Sequence, residues 1–377
     1  MHRLCSPLWF ALLLGLACLP AATATAADQP PTLALGASAP DFNLPGVDDQ
    51  THALKDYAAA RALVVVFTCN HCPSAQYYEE RLQALVTDYA PKGVAVVAIM
   101  PNDPKSVRLD ELGYTDLGDS FADMKIRARD RQFNFPYLYD GETESVARAY
   151  GPVATPHVFV FDAARKLRYV GAFDDAERVQ KVKRRYTRDA LDALLAGQEP
   201  PVAQTKIVGC SVKWAAKEET VKAHLEKLAA EPVTVSLVNA DQLKALRQNG
   251  SGKFRLINFW ATWCAPCVAE FPEFVTMNRM YRHRDFELVT IAVNDPDEQK
   301  NVLAFLRKHQ ASSQNLLFAS ENRDALINAF DPEWQGQVPY TLFLAPDGKV
   351  LFRQFDRVDP LVLRRAIVAA LNEHQPW

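Results

Sequence analysis

Residues 254–275 read FRLINFWATWCAPCVAEFPEFV, and an earlier stretch, residues 62–89, reads ALVVVFTCNHCPSAQYYEERLQALVTDY. Each begins as an unbroken apolar run rich in β-branched or aromatic residues, the pattern of a buried strand. Each then meets a Cys-x-x-Cys pair, Cys264 with Cys267 or Cys69 with Cys72. Apolar residues at helical spacing follow: Phe271, Phe274 and Val275 in one stretch, Leu82, Leu85 and Tyr89 in the other. Both pairs are therefore predicted at a strand-to-helix junction.

Working outward from these junctions, the surroundings match as well, which marks an internal repeat. A second strand is predicted over 94–100 and over 286–294, each followed by a helix-bearing segment. An X-Pro step then opens a further strand, Thr155-Pro156 before 157–161 and Val338-Pro339 before 340–344. Turns at 162–166 and 346–349 lead to a hairpin partner and a last helix. The order is β-CxxC-α-β-α-Pro-β-β-α, twice, which predicts an α/β protein with two tandem domains, each a central mixed sheet flanked by helices. With 377 residues, two cores are also what length alone suggests. The boundaries are placed at 32–212 and 233–375, with a charged, exposed connecting helix between them at 213–232.

The first 26 residues read as a separate unit: His2 and Arg3, an apolar run from Leu8 to Leu19, then small residues with Ala24-Thr25-Ala26 as a cleavage site. This is the pattern of a secretory signal peptide, and the run is shorter than a bilayer requires. The expected protein is exported, periplasmic or otherwise, with no stable membrane insertion after cleavage. Cleavage removes Cys5 and Cys18 and leaves Cys69, Cys72, Cys210, Cys264 and Cys267. The compartment permits disulfides and needs enzymes that exchange them. A formal net charge of −3 gives no basic excess for a phosphate backbone, so nucleic acid is not an expected partner.

The second unit, through Asn258-Phe-Trp-Ala-Thr-Trp-Cys-Ala-Pro-Cys-Val-Ala-Glu-Phe-Pro272, resembles the TlpA/ResA-type thiol–disulfide oxidoreductases of the thioredoxin superfamily. The first resembles redoxin/AhpC-TSA-like thioredoxin proteins through Pro40-Asp-Phe42, Cys69-Asn-His-Cys-Pro73, Phe135-Pro-Tyr-Leu-Tyr-Asp140, Thr155-Pro-His157 and Gly209-Cys-Ser-Val-Lys-Trp214. The resemblance implies redox-active disulfides Cys69–Cys72 and Cys264–Cys267. It also implies cis-prolines at Pro156 and Pro339 beside them, and an acidic proton relay at Glu270, three residues after Cys267. On the same alignment Ala75 takes the place of Glu270 in the first unit, and Tyr77 that of Pro272. Cys210 is a candidate third redox thiol, against an inert buried cysteine.

Exchange needs one thiolate that attacks and a second thiol that resolves the mixed disulfide. A helix N-terminus stabilises the thiolate that heads it, which assigns attack to Cys69 and Cys264 and resolution to Cys72 and Cys267. His71, when protonated, favours a thiolate at Cys69, whereas Ala265-Pro266 supplies no cation; the alternative is a solvent-facing histidine without effect. A zinc site wants its cysteine pairs a short loop apart, so no metal is implied, and no cofactor. An inert bridge usually closes a longer loop.

The expected function is disulfide exchange with protein thiols and disulfides, fed by an upstream thiol reductant. The second centre passes electrons to the first in one version and serves separate clients in another. The alternatives are a peroxiredoxin-like peroxidase in the first domain and a non-enzymatic client-binding fold. Peroxiredoxins place a threonine three residues before the peroxidatic cysteine, the place that Cys69 holds relative to Cys72.

Overall fold

The computed structural model describes residues 29–320 and 322–374; the leader read at 1–26 lies outside them. The chain forms two α/β units, and each sheet takes its strand order from the repeat. In the first sheet the order is Tyr137–Tyr139, Val94–Met100, Ala62–Phe67, His157–Asp162, Leu167–Gly171. The first three strands run parallel, and the last two join antiparallel. In the second the order is Ser236–Val238, Gln314–Phe318, Phe286–Ala292, Phe254–Trp260, Tyr340–Leu344, Val350–Phe355, again parallel until the final pair. This is the thioredoxin-like arrangement twice over.

Alternation explains why the central strands read as unbroken apolar runs. Val64 and Val66 face one core with Leu82, Leu85 and Tyr89, while Leu63, Val65 and Phe67 face the other. The second unit divides in the same way, with Ile257 and Phe259 on one side and Phe254 and Leu256 on the other. A strand covered on both faces gives no polar alternation, so only flanking residues mark where it ends.

The connecting segment is a short 3-10 turn, Ala215–Lys217, followed by helix Glu218–Ala229. Contrary to a wholly exposed helix, Val221 and Leu228 are buried. Val212 and Trp214 belong to the first core. The units are docked on one another. Leu109 and Leu112 pack on the second unit's cluster of Phe274, Met277 and Leu371. The Tyr281 hydroxyl donates to the Thr115 carbonyl at 3.0 Å, and Arg284 donates to the Gly113 carbonyl at 3.2 Å. No helix among the described residues is long and apolar enough to cross a membrane.

Candidate active sites

In the second unit, helix Ala265–Tyr281 starts immediately after Cys264, which caps it. The Cys267 amide donates to Cys264 Sγ at 3.3 Å, and the two sulfurs are bonded at 2.02 Å. Cys264 Sγ lies 3.6 Å from the carbonyl oxygen of Val338, the residue before the cis peptide bond to Pro339. Trp263, beside the disulfide, is 56 % exposed and offers an apolar landing surface. Glu270 is buried on the same helix. Its carboxylate accepts from the Val358 amide at 2.9 Å and from Asn258 Nδ2 at 3.4 Å. Burial pushes its carboxyl up to about 6, against the lowering effect of those two donors. A carboxyl one helical turn from Cys267 and titrating there can give or take a proton near neutral pH.

The first unit departs from the expected alignment. Helix Pro73–Tyr89 is capped by Cys72, not Cys69, because Pro73 occupies its first turn, where a missing N–H is tolerated. Sheet register gives the same answer. Phe67 pairs with His157 just after Pro156, and Phe259 pairs with Tyr340 just after Pro339. Five residues beyond these strand positions stand Cys72 and Cys264. Cys72 Sγ lies 3.3 Å from the carbonyl oxygen of Thr155, which precedes the cis-peptide to Pro156, matching the 3.6 Å from Cys264 Sγ to the carbonyl of Val338. Cys72 also receives a hydrogen bond from the Ala75 amide, the counterpart of the Cys267 amide.

Cys72 is therefore the positional equal of Cys264, and Ala75 that of Cys267. Cys69 precedes the helix in the approach loop, its sulfur 3.1 Å from Thr155 Oγ1. The counterparts of Glu270 and Pro272 become Tyr78 and Glu80, three residues beyond Ala75 and Tyr77. The placement of Cys69 at the head of the helix is thus corrected.

Electrostatics follow this placement. Burial pushes the Cys69 thiol well up, and its hydrogen bond to Cys72 and the nearby Asp119 carboxylate add to that. Burial also opposes ionisation of Cys72. Even so, hydrogen bonds from Cys210 and Cys69, the positive charge of His71 and the Ala75 amide together hold it well down. His71 acts on Cys72. It is also not solvent-facing: it is 2 % exposed, with Nδ1 2.5 Å from Asp119 Oδ2. Burial alone would discharge the imidazole, but Asp119 outweighs it and raises its affinity for the proton. Burial likewise disfavours the Asp119 charge, and His71 with Asn102 more than offsets it.

Asp119 was not visible as a site residue in the sequence. It reaches His71 from a loop 48 residues away and also accepts from the Asn70 and His71 amides, each at 3.0 Å, and from Asn102 Nδ2 at 2.7 Å. Cys69, His71 and Asp119 bring ligand-type atoms within 4.8 Å of one another. The carboxylate's acceptor positions are occupied by these four donors, so the group reads as an ion-pair network. Cys210, half-buried, is hydrogen-bonded to Cys72.

The model of the AhpC/TSA family matches residues 35–170 and again 229–353. Among curated proteins, the thiol-disulfide oxidoreductase ResA of Geobacillus thermodenitrificans is 28% identical over 99 residues, 26% of this chain and 52% of the relative. The ResA of Bacillus subtilis is 27% identical over 113 residues, 30% of this chain and 58% of the relative. The chain thus spans about half the length of the curated relatives it matches. Among solved structures, a conserved protein from Geobacillus kaustophilus is 40% identical, covering 48% of this chain and 92% of that one with a TM-score of 0.43. A hypothetical protein from Sinorhizobium meliloti 1021 is 35% identical, covering 50% and 98% with a TM-score of 0.44.

Proposed function

The chain belongs to the AhpC/TSA family, and from that premise we propose that it is an exported thiol–disulfide oxidoreductase with two active centres exchanging disulfides with protein substrates. One observation carries the reading. In both units a cysteine caps the helix after the central strand and faces the carbonyl of the residue before a cis-proline, with another cysteine three residues away in sequence.

The capping position supplies unpaired amides and the positive end of the helix dipole, which favour the thiolate. Cys72 and Cys264 are the attacking thiols. Cys267 resolves the mixed disulfide at Cys264, and Cys69 that at Cys72. A substrate chain laid against the carbonyl edge at Val338 is brought beside the attacking sulfur, whereas the matching edge at Thr155 is paired with this chain's own Cys210–Ser211. Pro156 and Pro339 fix these edges.

In the second centre, attack of an incoming thiolate on Cys264 expels Cys267 as a thiolate, and Glu270 supplies its proton. In the first, His71, held charged by Asp119, stabilises the Cys72 thiolate, and Cys69 retains its proton until it is needed. The domains are assigned to 32–212 and 233–375, and the extracytoplasmic setting rests on the leader pattern. The test is reduction of insulin disulfides by the full-length protein. A Cys72→Ser, Cys264→Ser double variant that keeps full activity overturns the reading.

A second reading of the first unit has its own support. There the partner cysteine precedes the helix-capping cysteine, as a threonine does in peroxiredoxins, and the capping Cys72 is fully buried. A peroxidase is distinguished by rapid loss of hydrogen peroxide on mixing with the pre-reduced protein.

Electron transfer from the second centre to the first remains part of the proposal, with a geometric condition. The carbonyl of Met280 lies against Gly113 of the first unit, sixteen residues along the helix from Cys264, about 24 Å at the helical rise. The relay we propose has the units part along this contact, which lies at the end of the helix remote from Cys264.

A further inference from the structure

We propose that Cys72 closes either of two disulfides, an inner one with Cys69 and an outer one with Cys210, and that the outer bridge is the form through which the first centre meets its partners. The inference rests on the oxidoreductase reading above and concerns which sulfur is presented to a client.

Cys72 lies between the two other thiols. It is hydrogen-bonded to Cys69 on one side and to Cys210 on the other. The position of Cys210 is built by backbone, independently of these contacts. The two-residue strand Cys210–Ser211 pairs antiparallel with Ala154–Thr155, and Cys210 stands opposite Thr155, whose carbonyl faces Cys72 Sγ. The strand can come this close because residue 209 is glycine: a Cβ there would lie 2.1 Å from the Thr155 carbonyl oxygen. Access differs sharply between the thiols. Cys69 and Cys72 are 3 % and 0 % exposed, whereas Cys210 is half-buried. A Cys69–Cys72 disulfide is screened from a protein thiol, and a Cys72–Cys210 disulfide is not.

The interchange balances. The Cys210 thiolate attacks Cys72 Sγ of the inner disulfide. The new S–S bond forms as the bond to Cys69 breaks, and the departing Cys69 takes up the proton that Cys210 gave away. No electrons are gained or lost. In the reduced centre the Cys72 thiolate holds the Cys210 proton in place; once Cys72 is in a disulfide, that restraint is gone. A client dithiol then attacks Cys210 Sγ and expels Cys72, the sulfur whose environment best tolerates a thiolate and hence the better leaving group. The client's second thiol releases Cys210, leaving the client oxidised and the centre reduced by two electrons.

The test equilibrates full-length protein in glutathione and glutathione disulfide at a series of ratios, quenches with acid, alkylates and maps the bridged peptides. Wild-type protein is expected to give both the 69–72 and the 72–210 bridge. Cys69→Ser should still close 72–210. Gly209→Ala, which pushes the strand off Thr155, should lower the 72–210 fraction at least about tenfold relative to 69–72. A folded Cys69→Ser protein whose Cys72 and Cys210 stay open to alkylation at every ratio overturns the proposal, as does wild-type protein with only the 69–72 bridge. Failure of the underlying reading looks different: Cys72→Ser would leave the first unit's insulin reduction intact.

Discussion

The two centres place one thiol identically and the other differently. Cys72 and Cys264 both cap a helix beside a cis-proline carbonyl, yet the partner of Cys264 follows it in the first helical turn, while Cys69 precedes Cys72 in the loop. Proton handling diverges with it. The second centre has a buried carboxyl, Glu270, and no neighbouring cation from its intervening residues. The first has a buried His71–Asp119 ion pair. The helix-capping position belongs to the fold, whereas the second thiol and the ionisable neighbour come from different places on it.

The largest expected effect tests that equivalence directly. In a Cys264→Ser background, Cys72→Ser should lower the first centre's insulin reduction on the order of a thousandfold, because no other sulfur caps the helix. A Cys69→Ser, Cys210→Ser double change should instead leave attack intact and, with neither resolving thiol present, allow a mixed disulfide on Cys72 to be captured. If a Cys72→Ser protein is instead caught on substrate through Cys69, the equivalence of Cys72 with Cys264 fails.

Next in size is Glu270→Gln. Reduction of the Cys264–Cys267 disulfide is expected to slow about a hundredfold below pH 6, the lower end of general acid–base contributions. The carboxyl is protonated below about 6, so donation to the leaving Cys267 is available there and fades above it. The reverse step, in which Glu270 takes the Cys267 proton, gains above the same value. Loss of that inflection from the pH–rate profile separates a proton relay from a packing role. The stability effect has a definite sign as well. A raised carboxyl pKa stabilises the fold below its ordinary range, and that contribution is lost as pH rises through about 6. The melting temperature of Glu270→Gln should therefore gain on wild type between pH 5 and 8.

For the first centre the matching change is Asp119→Asn. Without the carboxylate His71 loses its charge near neutrality, and the Cys72 thiolate population should fall about tenfold for each unit by which its titration moves up. Iodoacetamide alkylation of Cys72 between pH 5 and 7 measures it. The ion pair also sets a stability window. Asp119 is depressed, so its contribution is present above the ordinary aspartate range and lost on acidification. His71 is raised, so its contribution is full below the ordinary histidine value and lost as pH climbs through the raised one. An unchanged alkylation profile would reduce His71 to a structural residue.

Much of this was legible in the sequence, and the part that was not has a physical reason. Apolar runs, pair spacing and the X-Pro steps gave four strands of each sheet and a strand-to-helix junction at each cysteine pair, but not the strands Tyr137–Tyr139 and Gln314–Phe318. The Cys-x-x-Cys spacing is the same whichever cysteine caps the helix, so it misassigned the first centre. The decisive signal was Pro73, whose place is the first turn of a helix and not three residues into one. Asp119 left no local mark, since its position depends on a loop that folds back over 48 residues of chain. The strand Ser236–Val238 was too short to carry a periodicity.

The smallest expected effect concerns the distance between the centres. The Tyr281 hydroxyl donates to the Thr115 carbonyl across the buried contact between the units. Tyr281→Phe removes one hydrogen bond from the docked form, about 1 kcal/mol, or roughly a fivefold shift toward the parted form. If transfer from Cys264–Cys267 to the first centre requires parting, its rate in stopped flow should rise about as much and stay independent of protein concentration. A first-order rate that Tyr281→Phe leaves untouched means the docked contact does not gate transfer. A rate that scales with concentration in both proteins means that electrons pass between chains, and each centre then acts as a separate oxidoreductase held on a shared scaffold.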